Sequence, residues 1–206
     1  HCDHLLVIDR SEVKGNIVGT YRLLLDDHAG HADGFYSEGE FDLAPLKTAN
    51  RGKRLMELGR SCILPDYRSK RVMELLWQGT WVYALNNGVD VLFGCASFSG
   101  TDPRTHSAAL SWLAQNATLD EGDCPSAASG SLPLSSFIAY EGNERRTVAT
   151  LPPLLKGYLR LGAKISSQAV IDHQFDTIDV LVVLKVADIN PRYLAHYGAD
   201  ASRFAS

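Results

Sequence analysis

The sequence predicts a mixed α/β domain with a mostly antiparallel central sheet, a single parallel strand-helix-strand crossover and flanking helices. Three stretches carry that expectation. Two β-rich runs, "HLLVID" and "IVGTYRLLL", stand either side of the turn "SEVKGN". A strand-like "KRLMELGRSCIL" is stopped by Pro65 and gives way to helical spacing before a second apolar run, "VDVLFGCASF". Late in the chain, "AKISSQAVID" and "TIDVLVVLKV" look like two further strands.

Taken in order, residues 4–9 and 17–25 are expected to pair as a β-hairpin, because both are apolar and the second is β-branched and aromatic. Residues 26–34 are a Gly-rich loop and 35–46 a mixed polar and aromatic connection, followed by a third strand over 53–64. From Ser69 onward Val72, Leu75, Leu76 and Tyr83 recur at helical spacing, and Gly88 is placed to end the helix. The nearly continuous apolar run over 89–98 suits a strand buried on both faces and parallel to the one before the helix. Residues 102–117 form a second helix, with Asp102 as cap and Pro103 at the first position. The small-residue stretch 118–136 is a functional loop, 151–162 a short helix opened by prolines and closed by glycine, and His173–Asp176 the turn between the last two strands.

Composition excludes several classes. The 206 residues fit one domain, and 45% hydrophobic with 21% charged is ordinary for a globular chain. A net charge of −4 argues against nucleic acid as a partner, since neutralising phosphates needs a basic face. No run reaches the roughly 18 apolar residues of a membrane span. The first ten residues lack the order of a signal peptide, so the expected compartment is the cytoplasm. Cys2, Cys62, Cys95 and Cys124 have no paired spacing and are expected as small buried residues in a reducing compartment. His1, His4, His28 and His31 lie in a terminus and a loop without ligand spacing, so no metal is expected.

The chemistry concentrates at residues 57–72, "ELGRSCILPDYRSKRV". A helix N-terminus presents unpaired N–H groups and partial positive charge, so Arg68, Lys70 and Arg71 around it point to a bound phosphate. In the strand before it, strict alternation puts Leu55, Glu57, Gly59 and Ser61 on one face and Met56, Leu58, Arg60 and Cys62 on the other. Gly59 is where a bulge could re-aim a side chain. Glu57, buried without a partner, would cost several kcal/mol, so it is either catalytic or one half of a structural Glu–Arg pair. Arg22, a charge in an apolar strand, wants a carboxylate too. With Arg60, Asp3 and Glu57 it is expected to form a polar cluster, as structure or as a pocket for a zwitterionic substrate.

The stretches "CDHLLVID", "VGTYRLL", "FYSEGEFDL", "ELGRSCILPDYRS", "LLWQGTWVYAL", "LFGCASFSGTDP", "LPPLLKGYLRLGAKI" and "NPRYLAHY" resemble the ornithine acyl-carrier-protein N-acyltransferases of bacterial ornithine-lipid synthesis. The resemblance covers nearly the whole chain. It implies the fold of the Gcn5-related N-acetyltransferases (GNAT) and kinship with acyl-homoserine-lactone synthases. The shared elements fall on Asp3, Arg22, Glu57 and Arg60.

It also implies a reaction: a 3-hydroxyacyl chain passes from the phosphopantetheine thioester of acyl carrier protein to the α-amine of L-ornithine, with no permanently bound cofactor. The amine must be neutral to attack, which makes Glu57, directly or through water, the expected base, with Arg60 beside it. The N–H groups around Ser61, Cys62 and Ile63 would hold the oxyanion, and Tyr67, Arg68, Ser69, Lys70 and Arg71 the phosphate. Asp3 and Arg22 would bind the amino acid.

Two departures from the wider pattern refine this. GNAT enzymes hold the coenzyme A pyrophosphate on a Gln/Arg-x-x-Gly-x-Gly/Ala loop, and Arg71 and Met73 stand here where its small residues belong. Cationic side chains around one phosphate suit acyl carrier protein instead. The family also begins with a strand and helices ahead of "CDHLL", so a single domain with its N-terminal elements absent, an exposed sheet edge and an open pocket side is expected. The alternatives are another amino-acid or lactone-type acceptor, and a non-catalytic module that binds carrier protein or lipid. The helix with Lys156 and Arg160 is a candidate for peripheral contact with the inner membrane surface.

Overall fold

The structure, a computed structural model, describes residues 2–11, 13–31, 34–128, 130–137 and 142–189. The "NPRYLAHY" stretch and the side chain of Lys70 lie outside the described residues. The strands are β1 (Asp3–Asp9), β2 (Asn16–Leu25), β3 (Phe41–Asp42), β4 (Leu55–Ile63), β5 (Val91–Ser99), β6 (Ser126–Ala127), β7 (Ser131–Pro133), β8 (Lys164–Asp172) and β9 (Thr177–Lys185). The helices are α1 (Asp26–Ala29), α2 (Ala44–Ala49), α3 (Lys70–Asn86), α4 (Ser107–Asn116), α5 (Glu144–Thr150) and α6 (Pro153–Leu161).

Seven strands form one sheet in the order β1-β2-β4-β5-β9-β8-β7, and β3 pairs with β6 in a separate ribbon. Only β4 and β5 run parallel, joined by α3 as the crossover. The early hairpin is β1 with β2 and the late one β8 with β9. Central position explains the apolar runs: β5 is buried from Val91 to Gly94 and β9 from Ile178 to Leu184. One sheet face packs under α3, α4 and α6, with Leu23, Leu58, Leu76, Trp77, Leu110 and Tyr158 in its core. The other is covered by the segment between β2 and β4, through Phe35, Phe41, Leu43 and Leu46 on Leu24, Phe93 and Leu181.

Several elements depart from expectation. The supposed loop over 26–34 opens with the single helical turn α1, and 35–46 contains a 3-10 turn (Tyr36–Gly39), β3 and the start of α2. Asp102 caps as expected, accepting from the Arg104 N–H at 3.0 Å, but the first turn is a 3-10 one (Pro103–His106) before α4. The stretch 118–136 holds β6 and β7. Helix α5, "ERRTVAT", has no apolar period to announce it and is capped by Asn143.

Two irregularities in β4 position the site. It pairs with β5 only over Leu55–Glu57 and then parts from it, while β5 stays on β9 through Ser99. Close approach at the fork requires glycine, since a Cβ on Gly94 would lie 2.2 Å from the Leu58 carbonyl oxygen. Against β2 the register jumps from Arg22 opposite Gly59 to Thr20 opposite Cys62, so Arg60 and Ser61 face Tyr21 as a bulge. Arg60 carries the turn, with φ of 52°.

Candidate functional site

The fork between β4 and β5 opens into two cavities on opposite sheet faces. The first, about 370 Å³, is lined by Arg22, Tyr36, Ser37 and Glu57 through Cys62, with Cys95 and Ser97 of β5. The second, about 530 Å³, lies on the α3 side between Ile63, Arg68, Ser69, Met73 and Trp77. They share a wall of Tyr21, Ser61, Cys62 and Leu154.

Glu57 is 2% exposed and well satisfied. Its Oε1 accepts from the Ser37 N–H at 2.7 Å and hydroxyl at 2.6 Å, its Oε2 from the Tyr36 N–H at 3.0 Å. Arg22 Nη2 stands 3.6 Å from Oε2. These partners offset the cost of burying the carboxylate and pin the 3-10 turn over the fork. The expected Glu–Arg pair therefore exists, with Arg22 as the partner.

Alternation placed Glu57 and Arg60 on opposite faces, and the bulge overturns this. The Arg60 guanidinium lies 4.7 Å from the Tyr36 ring centroid and 5.3 Å from that of Phe175, on the Glu57 side. The Arg22 guanidinium sits 5.1 Å from the same Tyr36 ring. Among the described residues Arg60 forms no ion pair, so its charge is available to an anion in the first cavity. A left-handed backbone at a non-glycine residue costs of order 1–3 kcal/mol and is typical of residues held for function.

Asp3 does not join this cluster. It lies opposite Leu23 in the hairpin register, which turns it toward α3, where its carboxylate accepts from the Tyr83 hydroxyl. Tyr67 is likewise drawn away: its hydroxyl donates to Asp9 at 2.6 Å. Of the other residues assigned to the donor, Ser61, Cys62, Ile63, Arg68 and Ser69 line the second cavity, while Arg71 is exposed on the first turn of α3. Ser69 caps that helix, its Oγ accepting from the Val72 N–H at 3.4 Å. Cysteines also depart from expectation: Cys62 is exposed and lines both cavities, and Cys95 lines the first.

Sequence reasoning missed two groups. Tyr21 and Tyr158 share a 2.5 Å hydrogen bond between hydroxyls at the shared wall. Burial, set against hydrogen bonds to Tyr158 and Ser61, pushes the Tyr21 phenol up to about 12, so it stays protonated. A hydroxyl in the middle of "GTYRLLL" was the available signal. The second group is Glu40, Asp172 and Asp179, whose carboxylate oxygens lie within 4.8 Å of one another. Asp179, a charge inside "TIDVLVVLKV", announced itself as Arg22 did.

Residues 1–78 match the model of an acetyltransferase (GNAT) domain family. The chain is 50% identical over 209 residues to the L-ornithine N(alpha)-acyltransferase of Rhizobium meliloti (strain 1021), covering 100% of this chain and 71% of that one. It is 50% identical over 207 residues to the protein of the same name from Agrobacterium fabrum, covering 98% and 70%. Among solved structures it is similar to FeeM, an N-acyl amino acid synthase from uncultured soil microbes, with a TM-score of 0.45 and 14% identity over 84% of this chain and 62% of that one.

Proposed function

The chain belongs to the L-ornithine N(alpha)-acyltransferases, and on that premise we propose that the β4–β5 fork carries an acyl group from acyl carrier protein to the α-amine of L-ornithine. The observation that supports this is the pair of cavities meeting at one wall. A thioester entering on the α3 side and an amine entering from the other face would come together at Tyr21, Ser61 and Cys62.

On the donor side, the α3 N-terminus, Arg68 and Ser69 give a phosphopantetheine phosphate N–H groups and positive charge. Exposed Arg71 then faces the acidic surface of a carrier protein. The apolar flank of Met73, Leu76 and Trp77 suits the acyl chain, a 3-hydroxyacyl in this reading. On the acceptor side, Arg60 would take the α-carboxylate of the amino acid. Glu57 reaches the cavity through the Ser37 hydroxyl and would draw the α-amine proton by that route or through water.

The neutral amine attacks the thioester carbonyl, forming C–N as C–S breaks. One proton leaves the nitrogen toward Glu57 and one arrives at the departing sulfur. Past Glu57, β4 has no ladder partner on its β5 side, so backbone N–H groups near Ser61 are free to hold the oxyanion. The Tyr21 hydroxyl is the nearest protonated donor for the thiolate.

Among the described residues no helix is long and apolar enough to cross a membrane. Helix α6 turns Leu155, Tyr158 and Leu161 into the core, so peripheral contact with the inner membrane would rest on the cations Arg145, Lys156 and Arg160, which rim one surface groove.

The test is incubation with 3-hydroxyacyl carrier protein and ornithine, read by mass. N-acylornithine is expected, falling about 100-fold or more in Glu57→Gln on the usual scale of acid-base catalysis. Thioester loss without that product would sink the reading.

A further inference from the structure

We propose that Glu40, Asp172 and Asp179 form the subsite for the side-chain ammonium of the amino-acid acceptor. The inference rests on the acyl-transfer reading above and assigns it a source of acceptor specificity.

The three carboxylates gather from different segments onto the face that carries the acceptor cavity, their oxygens within 4.8 Å of one another. Among the described residues none of them takes part in an ion pair. Asp179 is 4% exposed, and its Oδ1 is buried without a hydrogen-bond partner. Glu40 Oε2 is in the same state. Clustered acids with unpartnered oxygens are costly to bury unless a cation joins them.

The cluster borders the first cavity directly. Cys95 and Ser97, both in that cavity's wall, are hydrogen-bonded to Glu40 and Asp179 respectively. Asp179 is also the cross-strand partner of Ser97. Burial, then the Asp179 charge, pushes the Glu40 carboxyl up to about 7, so a proton partly stands in for the absent cation at neutral pH.

The ligand chemistry follows from the donor set. A primary ammonium offers three N–H donors and one charge, matching three carboxylates. A hard divalent ion would ask for six or more oxygens, and Asp172 Oδ1 is already taken by the Gln174 and Phe175 N–H groups at 2.7 and 3.1 Å. Arg60 at one end of the cavity and the acids at the other would hold an α-amino acid by both charged ends. The α-amine is then left at the fork.

Calorimetric titration of the full chain with L-ornithine and with L-norvaline, which has the same carbon chain without the terminal amine, reads this subsite with no acyl donor present. Ornithine is expected to bind about 10- to 100-fold more tightly, the usual worth of charge-assisted hydrogen bonds. In Asp179→Asn and in Glu40→Gln, each checked for folding by circular dichroism, that gap should shrink at least about 5-fold. Equal affinities in the unmodified protein, or a gap that persists in both variants, overturns the subsite. Failure of the acyl-transfer reading shows separately, as missing N-acylornithine while the affinity gap persists.

Discussion

At Gly59 the missing side chain leaves the room that Arg22 occupies, since a Cβ there would lie 2.7 Å from Arg22 Nη2. Gly59→Ala is therefore expected to push the guanidinium off Glu57 and destabilise the fold by about 1–3 kcal/mol, measured by urea unfolding. Glu40 makes a second expectation at this scale. Its ordinary value of 4.5 rises to about 7 in the fold, so the folded state holds the proton more tightly than the unfolded chain. Its contribution falls as pH rises from about 4.5 to about 7 and is fully unfavourable above that. Thermal unfolding across this window should show that decline, and Glu40→Gln should flatten it. The sequence exposed Arg22 and Glu57 as charges in apolar strands, so their pairing was legible. It hid the side on which Arg60 lies, because alternation fails at a bulge that only the β2 register reveals. Asp3 went astray for a related reason: facing depends on the cross-strand partner, here Leu23.

Among elements, the hairpins and the parallel crossover were legible because their apolar patterns are long and bounded by Pro65, Gly88 and Gly162. What escaped was short: α1, β3, β6 and α5 bury too little to impose a period. Helix α3 joins stability to the proposed donor site, since Ser69 both caps it and lines the second cavity. Ser69→Ala should lower unfolding free energy by about 1 kcal/mol. It should also raise KM for the carrier-protein donor without a comparable effect on KM for ornithine. Equal change in both constants would mean the cap acts on the fold alone.

For the whole molecule, the sheet order puts β4 and β5 at the centre, where a parallel pair can part without exposing a long ladder. Strand β1 is the outer strand of the described sheet, and Leu6, Ile8 and Ile17 are 44%, 47% and 57% exposed. The sheet order matches what the alternation of strands and helices allowed. The two-sided fork does not follow from that alternation, because it depends on where a ladder stops.

The common wall of Tyr21, Ser61, Cys62 and Leu154 bears on kinetic order. With separate entrances, neither substrate has to leave before the other arrives, and a ternary complex precedes chemistry. Initial rates at varied donor and acceptor should give intersecting double-reciprocal lines. Parallel lines would instead mean that the acyl group halts on the protein, and the exposed Cys62 in that wall is the thiol to examine for it.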